Sequence, residues 1–140
     1  MTITRADPSD LQAILELQYL AYQSEAKLLN NYEIPPLKQT YDETLREYNK
    51  GVFLKAVDEN GVIIGSVRAW SEHDTAFISK VIVNPQKQGQ GIGTKLLLAI
   101  EAECPASRYE LFTSDKSVRN VELYERLGYV TQRRGLEIRV

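Results

Sequence analysis

The stretch Val81-Ile82-Val83-Asn84-Pro85-Gln86-Lys87-Gln88-Gly89-Gln90-Gly91-Ile92-Gly93-Thr94 carries the strongest signal in the chain. A β-branched run reads as a strand that stops at Asn84-Pro85. Glycines then alternate with other residues, and from Gly91 onward apolar residues fall at Ile92, Leu96, Ala99 and Ile100, a helical stripe that ends before Pro105. A strand therefore enters a glycine-rich turn that opens directly into a helix. The first N–H groups of that helix have no intrahelical partner and lie at the positive end of its dipole. Such a place suits a pyrophosphate, and glycines let the backbone approach the phosphate oxygens closely. The spacing is not the dinucleotide pattern G-x-G-x-x-G, because Thr94 stands where the last glycine would fall. It is not a P-loop either, since no Gly-Lys-Ser/Thr triplet follows. A plain strand–helix turn that needs its glycines only for geometry is the competing reading.

Upstream of the loop lies a meander. Val52 to Val57 reads as a strand, Asn60-Gly61 as a tight hairpin turn and Val62 to Trp70 as the return strand. Ser71 to Asp74 turns the chain again. Thr75 to Val83 is the third strand of the group, with Phe77, Ser79, Val81 and Val83 expected on one face. Before the meander, Ile3 to Ala6 suits an opening strand. Asp7 and Pro8 start a helix running to about Lys27, with Leu11, Ile14, Leu15, Gln18 and Tyr22 at helical spacing. Asn30 to Lys38 reads as a connector. Thr40 and Glu43 form a capping-box pattern for a second helix, which Gly51 stops.

Downstream of the loop, Tyr109 to Thr113 reads as a strand and Val118 to Leu127 as a helix ended by Gly128. Tyr129 to Arg134 and Leu136 to Val140 read as two final strands. The order β-α-α-β-β-β-α-β-α-β-β, with no linker or repeat, indicates an α/β fold with one mixed sheet in a single domain over residues 1–140.

Bulk properties narrow the function. With 140 residues and 43% hydrophobic content the chain supports one core. A net charge of −2 leaves no basic excess for a phosphate backbone, which argues against nucleic acid as partner. The one cysteine, Cys104, has no disulfide or thiolate-site partner and reads as a small hydrophobe, and no metal-ligand spacing occurs. No apolar core of a signal peptide and no run near the ~20 apolar residues of a membrane span is present, so a cytoplasmic protein with no membrane partner is expected.

A second motif follows the loop: Asn120-Val121-Glu122-Leu123-Tyr124-Glu125-Arg126-Leu127-Gly128-Tyr129. Asn120 and Tyr124, four apart, share one helical face. Taken alone, such a tyrosine is most often core packing. The two motifs together resemble the GNAT superfamily of acyl-CoA N-acyltransferases. Gln88-Gly89-Gln90-Gly91-Ile92-Gly93 matches its Q/R-x-x-G-x-G/A signature. Asn120, Tyr124, Glu125, Gly128 and Tyr129 match its N-x-x-x-x-Y-E-x-x-G-F/Y helix, and the element order is the family's over nearly the whole chain.

The resemblance implies a mostly antiparallel sheet with helices on both faces and a splay between strands 4 and 5. It implies N-acetyl transfer from acetyl-CoA to a primary amine of a small molecule or peptide, with no metal. Gln88, Gly89, Gln90, Gly91, Ile92, Gly93 and Thr94 would hold the CoA pyrophosphate. Lys87 and Lys95 would be electrostatic helpers there or merely solvated charges. Val81 N–H would be the oxyanion donor, Val83 would pair with the pantetheine arm and Asn120 would hydrogen-bond it. Tyr124 would protonate the departing thiolate. Homodimers are frequent in the family. Where some members place a glutamate base on the fourth strand, this chain has Phe77, so either the amine arrives neutral, or a water chain or another side chain accepts its proton: Tyr22, Glu25, Tyr32, Glu33, Glu72 and His73 are the candidates, with Tyr22 and Glu25 nearest the expected acceptor cleft. A non-catalytic acyl-CoA-binding module on the same fold is the alternative from another class. An acyltransferase acting on charged tRNA is a third reading, which the acidic balance disfavours.

Overall fold

The computed structural model describes residues 1–114, 116–133 and 135–140. Seven strands form one sheet in the order β1-β2-β3-β4-β5-β7-β6. Strand β1 spans Thr2–Arg5, β2 Val52–Val57, β3 Ile63–Glu72, β4 Thr75–Val83, β5 Arg108–Phe112, β6 Val130–Arg133 and β7 Leu136–Arg139. Neighbours are antiparallel except β4 and β5, which run parallel from Thr75↔Arg108 to Ile78↔Leu111. Arg134, the expected end of the β6 strand, lies outside the described residues. No helix among them is long and apolar enough to cross a membrane.

Helices cover both faces of the sheet. Helix α5 (Ile92–Glu103) buries Ile92, Leu96, Leu97 and Ile100 against Leu54, Val67 and Ile78. Each such side chain contributes roughly 1.5–3 kcal/mol relative to exposure. On the other face, α1 (Leu11–Ala21) packs Leu11 and Ile14 on Phe53, with Leu45 and Tyr48 of α4 (Tyr41–Lys50) beside them. The start of α4 is as expected: Thr40 Oγ1 accepts from Glu43 N–H at 3.2 Å, and Glu43 Oε1 accepts from Thr40 N–H at 2.9 Å. Its end differs in mechanism. Gly51 is extended rather than left-handed, and it is needed because a Cβ there would lie 2.1 Å from Ala69 O.

Other departures from the sequence expectations have local causes. The first helix begins as a 3-10 turn at Pro8–Asp10 and is divided at Tyr22, with α2 covering Gln23–Leu29. Pro35 starts a short α3 (Pro35–Lys38) inside the expected connector. The Asn60-Gly61 turn is wider than a two-residue hairpin: Asp58 Oδ1 accepts from Asn60 and Val62 N–H, and Gly61 takes the left-handed position. Strand β3 runs on to Glu72, so His73 and Asp74 alone make the next turn, both with positive φ.

The most consequential departure lies in β4. Ser66 pairs with Ile82 and Arg68 with Ser79, so the single residue Val67 faces both Lys80 and Val81, and Lys80 has φ 52°. This bulge shifts the alternation by one residue. The expectation that Phe77, Ser79, Val81 and Val83 share a face is therefore wrong. Val81 and Val83 pack on the α5 side with Ala76 and Ile78.

Candidate active site

Past Ile78 and Leu111 the β4–β5 pairing stops, and the two strands part. Asn84 N–H donates to Ile64 O at 2.8 Å, so alternation turns Ile82 toward β3 and Val83 toward the gap. The bulge leaves Lys80 and Val81 two-to-one against Val67, with part of their backbone outside the ladder. Tyr124, on α6 (Val118–Arg126), lines the gap.

The glycine loop closes the other end. Asn84 Oδ1 accepts from Gln86 N–H at 2.9 Å and Asn84 O from Lys87 N–H at 2.8 Å, which sets a 3-10 turn at Pro85–Lys87. Gly91 then takes φ 78° as the N-cap of α5, a conformation that costs little only without a Cβ. No side chain caps this helix. Its leading N–H groups face a cavity of about 370 Å³ lined by Gln88, Gly89, Gly91, Ile92, Gly93 and Thr94. Lys87, Arg119 and Arg126 also line it, whereas Gln90 and Lys95 are exposed and do not. Arg119 Nη1 donates to Gln88 Oε1 at 3.1 Å, tying α6 to the loop.

A second cavity of about 690 Å³ continues from the first along the gap, and the two share Val81, Val83, Gln88, Arg119, Asn120 and Tyr124. Tyr124 is 3% exposed, and its hydroxyl has no hydrogen-bond partner among the described residues. Burial, with Tyr22, Glu25 and Glu137 nearby, pushes its phenol far above the usual tyrosine range, so it stays protonated at any working pH. Tyr22 and Glu25 line the larger cavity from the first two helices. Burial raises both, while a Ser117 hydroxyl partly offsets the rise at Glu25.

The other sequence candidates for a proton acceptor are elsewhere. His73 stands exposed in its turn beside Glu72, Glu33 pairs with Lys38 at 2.7 Å, and Tyr32 is exposed. Phe77 stacks on Trp70 at 4.4 Å, and neither lines either of these two cavities. Of the tyrosines Tyr19, Tyr22, Tyr32, Tyr41 and Tyr48, Tyr22 alone lines either of these two cavities. Residues the sequence reading missed are Arg119 and Arg126, Glu137 and Lys80. Arg119 and Arg126 are seven apart on α6 and so share its loop-facing side. Glu137 lies on β7 between β5 and β6 and is 1% exposed, with Oε2 accepting from Thr131 Oγ1 at 2.6 Å.

Residues 11–129 match the model of the Acetyltransferase (GNAT) family. No curated protein matches by sequence. Solved structures with the same fold include a GNAT-family acetyltransferase of Staphylococcus aureus Mu50 (18% identity, TM-score 0.79, covering 99% of this chain and 97% of that one). The PaiA N-acetyltransferase of Thermoplasma acidophilum, in complex with coenzyme A, is similar at 14% identity and TM-score 0.79, with 99% of each chain covered. So is a GNAT phosphinothricin acetyltransferase of Sinorhizobium meliloti in complex with acetyl-CoA (20% identity, TM-score 0.75, 98% of this chain and 85% of that one).

Proposed function

Since the chain belongs to the GNAT acetyltransferase family, we propose that it is an N-acetyltransferase, moving an acetyl group from acetyl-CoA to a primary amine of a small molecule or peptide by direct attack. The observation that carries this reading is the meeting of two cavities at Val81, Val83, Asn120 and Tyr124. One cavity has the chemistry for phosphates and the other has room for an acceptor. CoA or acetyl-CoA in two of the structures with this fold supports the choice of donor.

The donor fits the residues present. The uncapped start of α5 offers N–H groups to a pyrophosphate, with Gln88 and the Gly89–Thr94 backbone around it and Lys87, Arg119 and Arg126 supplying positive charge. Val83 faces the gap and would pair with the pantetheine arm as another strand would, and Asn120, which lines both cavities, would hydrogen-bond it. Acetyl-CoA supplies an activated thioester. The amine forms the new C–N bond as the C–S bond breaks, so the amine must lose a proton and the sulfur must gain one. Val81 N–H, freed by the bulge, donates to the carbonyl oxygen as charge builds there. Tyr124, which lines both cavities, gives its proton to the sulfur. Glu25 is the best-placed carboxylate to take the proton of the amine, through Tyr22 or water.

Tyr124→Phe tests this reading. Thiol release from acetyl-CoA in the presence of a panel of amines should slow by about 100-fold. The calorimetric affinity for acetyl-CoA should hold. An undiminished rate removes Tyr124 from the acid role. A wild type that binds acetyl-CoA but never releases thiol is instead the non-catalytic module.

A further inference from the structure

Beneath the larger cavity, on the α1–α4 side of the sheet, sits a polar cluster that the transfer chemistry does not use. Arg68 is 3% exposed in the middle of β3. Its Nη2 donates to Gln18 Oε1 at 2.9 Å, and its Nη1 to Gln39 Oε1 at 3.2 Å and Glu47 Oε1 at 3.3 Å. The guanidinium lies over the Phe53 ring at 4.3 Å, and Nε has no partner among the described residues. Lys80, the bulge residue, reaches the same cluster: its Nζ is 3.6 Å from Glu47 Oε1, the oxygen Arg68 already uses. Gln39 Nε2 holds the other oxygen of Glu47.

Two largely buried cations thus share one carboxylate oxygen. Glu47 is 38% exposed, so it compensates them only in part. A buried positive excess is costly unless an anion completes it. Of the two cations, Lys80 opens onto the larger cavity, beside Val81 and near Tyr22 and Pro36. Its side chain is 18% exposed, too enclosed for a solvated surface lysine. The bulge that carries Lys80 also takes in Val81, the proposed oxyanion donor, so the cation is next in sequence to the proposed point of attack. Glu25 lines the same cavity. The walls therefore offer an anion for an ammonium and a cation for an anion.

We propose that the acceptor of this enzyme carries a carboxylate near its reacting amine, as an α-amino acid does, and that Lys80, backed by Arg68, holds that carboxylate beside Val81. The proposal rests on the acyltransferase reading and narrows it to one substrate class. Burial and the neighbouring Arg68 both lower the affinity of Lys80 for its proton, and a bound carboxylate would reverse that. Lys80 acts here in binding and takes no part in bond making.

The test compares the common L-amino acids with their carboxamides as acceptors, read by thiol release from acetyl-CoA. Thermal melting of the CoA-loaded protein with the corresponding N-acetyl acids and N-acetyl amides gives a second readout that needs no turnover. At least one acid should be preferred over its amide by about tenfold or more in kcat/KM, as expected for a charge-assisted hydrogen bond. In Lys80→Met the preference should fall to about twofold or less, mainly through KM, while Lys80→Arg should restore most of it. Equal use of amides, a preference that survives Lys80→Met, or no transfer to and no melting shift by any acid would each overturn the proposal. Acetyl-CoA binding by calorimetry and thiol release to the general amine panel, measured separately, tell these outcomes from failure of the acyltransferase reading: that reading itself fails when acetyl-CoA does not bind, or binds with no thiol release to any amine.

Discussion

The proposed donor end, at the smaller cavity, and the proposed acceptor end, at the larger one, are built on opposite plans. At the donor end the chemistry belongs to the backbone: uncapped N–H groups at the start of α5, a left-handed Gly91 and the open side of β4. Such a site needs glycines close together in sequence. At the acceptor end the chemistry belongs to side chains on separate elements. Gln18, Gln39, Glu47, Arg68 and Lys80 come from α1, the α3–α4 link, α4, β3 and β4. Assembly of that end depends on the whole sheet and both helix layers. The difference teaches that the proposed donor site rests on local backbone form, whereas the proposed acceptor site rests on tertiary placement.

The largest effect should come from the backbone side. Gly91→Asp puts a carboxylate at the N-terminus of α5, into the proposed pyrophosphate site. A Cβ there meets nothing within 4 Å, but φ 78° strains any residue other than glycine, so the fold should survive with a loss of roughly 1–2 kcal/mol. Two like charges ~4 Å apart near a surface repel by about 4 kcal/mol, so acetyl-CoA affinity should fall by a hundredfold or more in calorimetry. Melting should fall by several degrees only. Unaltered affinity would mean that the donor phosphates lie elsewhere, and the contrast between the two ends would collapse.

How much was legible follows the same division. The meander, the capping box at Thr40 and Glu43, the glycine loop and the Asn120–Tyr124 helix all announce themselves within a few residues. The bulge at Lys80 does not, because a lysine in a strand with positive φ carries no glycine or proline to mark it. Missing it misplaced Val81 and Val83 and hid Lys80 altogether. The division of the first helix was equally silent, since Tyr22 keeps a right-handed backbone at φ −82° and ψ −1°. Pro35 did signal α3, but two neighbouring prolines read as a connector first. Glu137 was hidden by topology: β7 enters between β5 and β6, and no pattern within five residues reveals which strands will flank it.

A smaller effect should come from breaking the side-chain cluster. Glu47→Gln leaves Arg68 and Lys80 facing each other with no carboxylate between them. Removing one partner of a fully buried pair costs roughly 3–5 kcal/mol. Because Glu47 is 38% exposed, solvent screens part of that, and a loss of about 2 kcal/mol in urea unfolding is expected. Acetyl-CoA affinity should not follow it down. A parallel loss at both ends would show that the two are one cooperative structure rather than two separable ones.

The smallest effect is the most specific, because it concerns one proton. Burial holds the Glu25 carboxyl above its ordinary range. If Glu25 receives the proton of the amine, kcat/KM must fall as pH drops through that raised value, since the protonated carboxyl accepts nothing. Glu25→Gln should erase this acid limb and lower the plateau by about tenfold, with water taking over the relay. Stability gives the control. A carboxyl whose folded pKa lies above its unfolded value binds more protons when folded. It therefore costs stability above the raised pKa, and that cost is relieved as pH falls through the window down to the ordinary value. Glu25→Gln should consequently be no less stable than the wild type at neutral pH, so a lost limb cannot be blamed on unfolding. A limb that persists in Glu25→Gln would assign the titration to the acceptor or to another group, leaving Glu25 as a wall of the cavity.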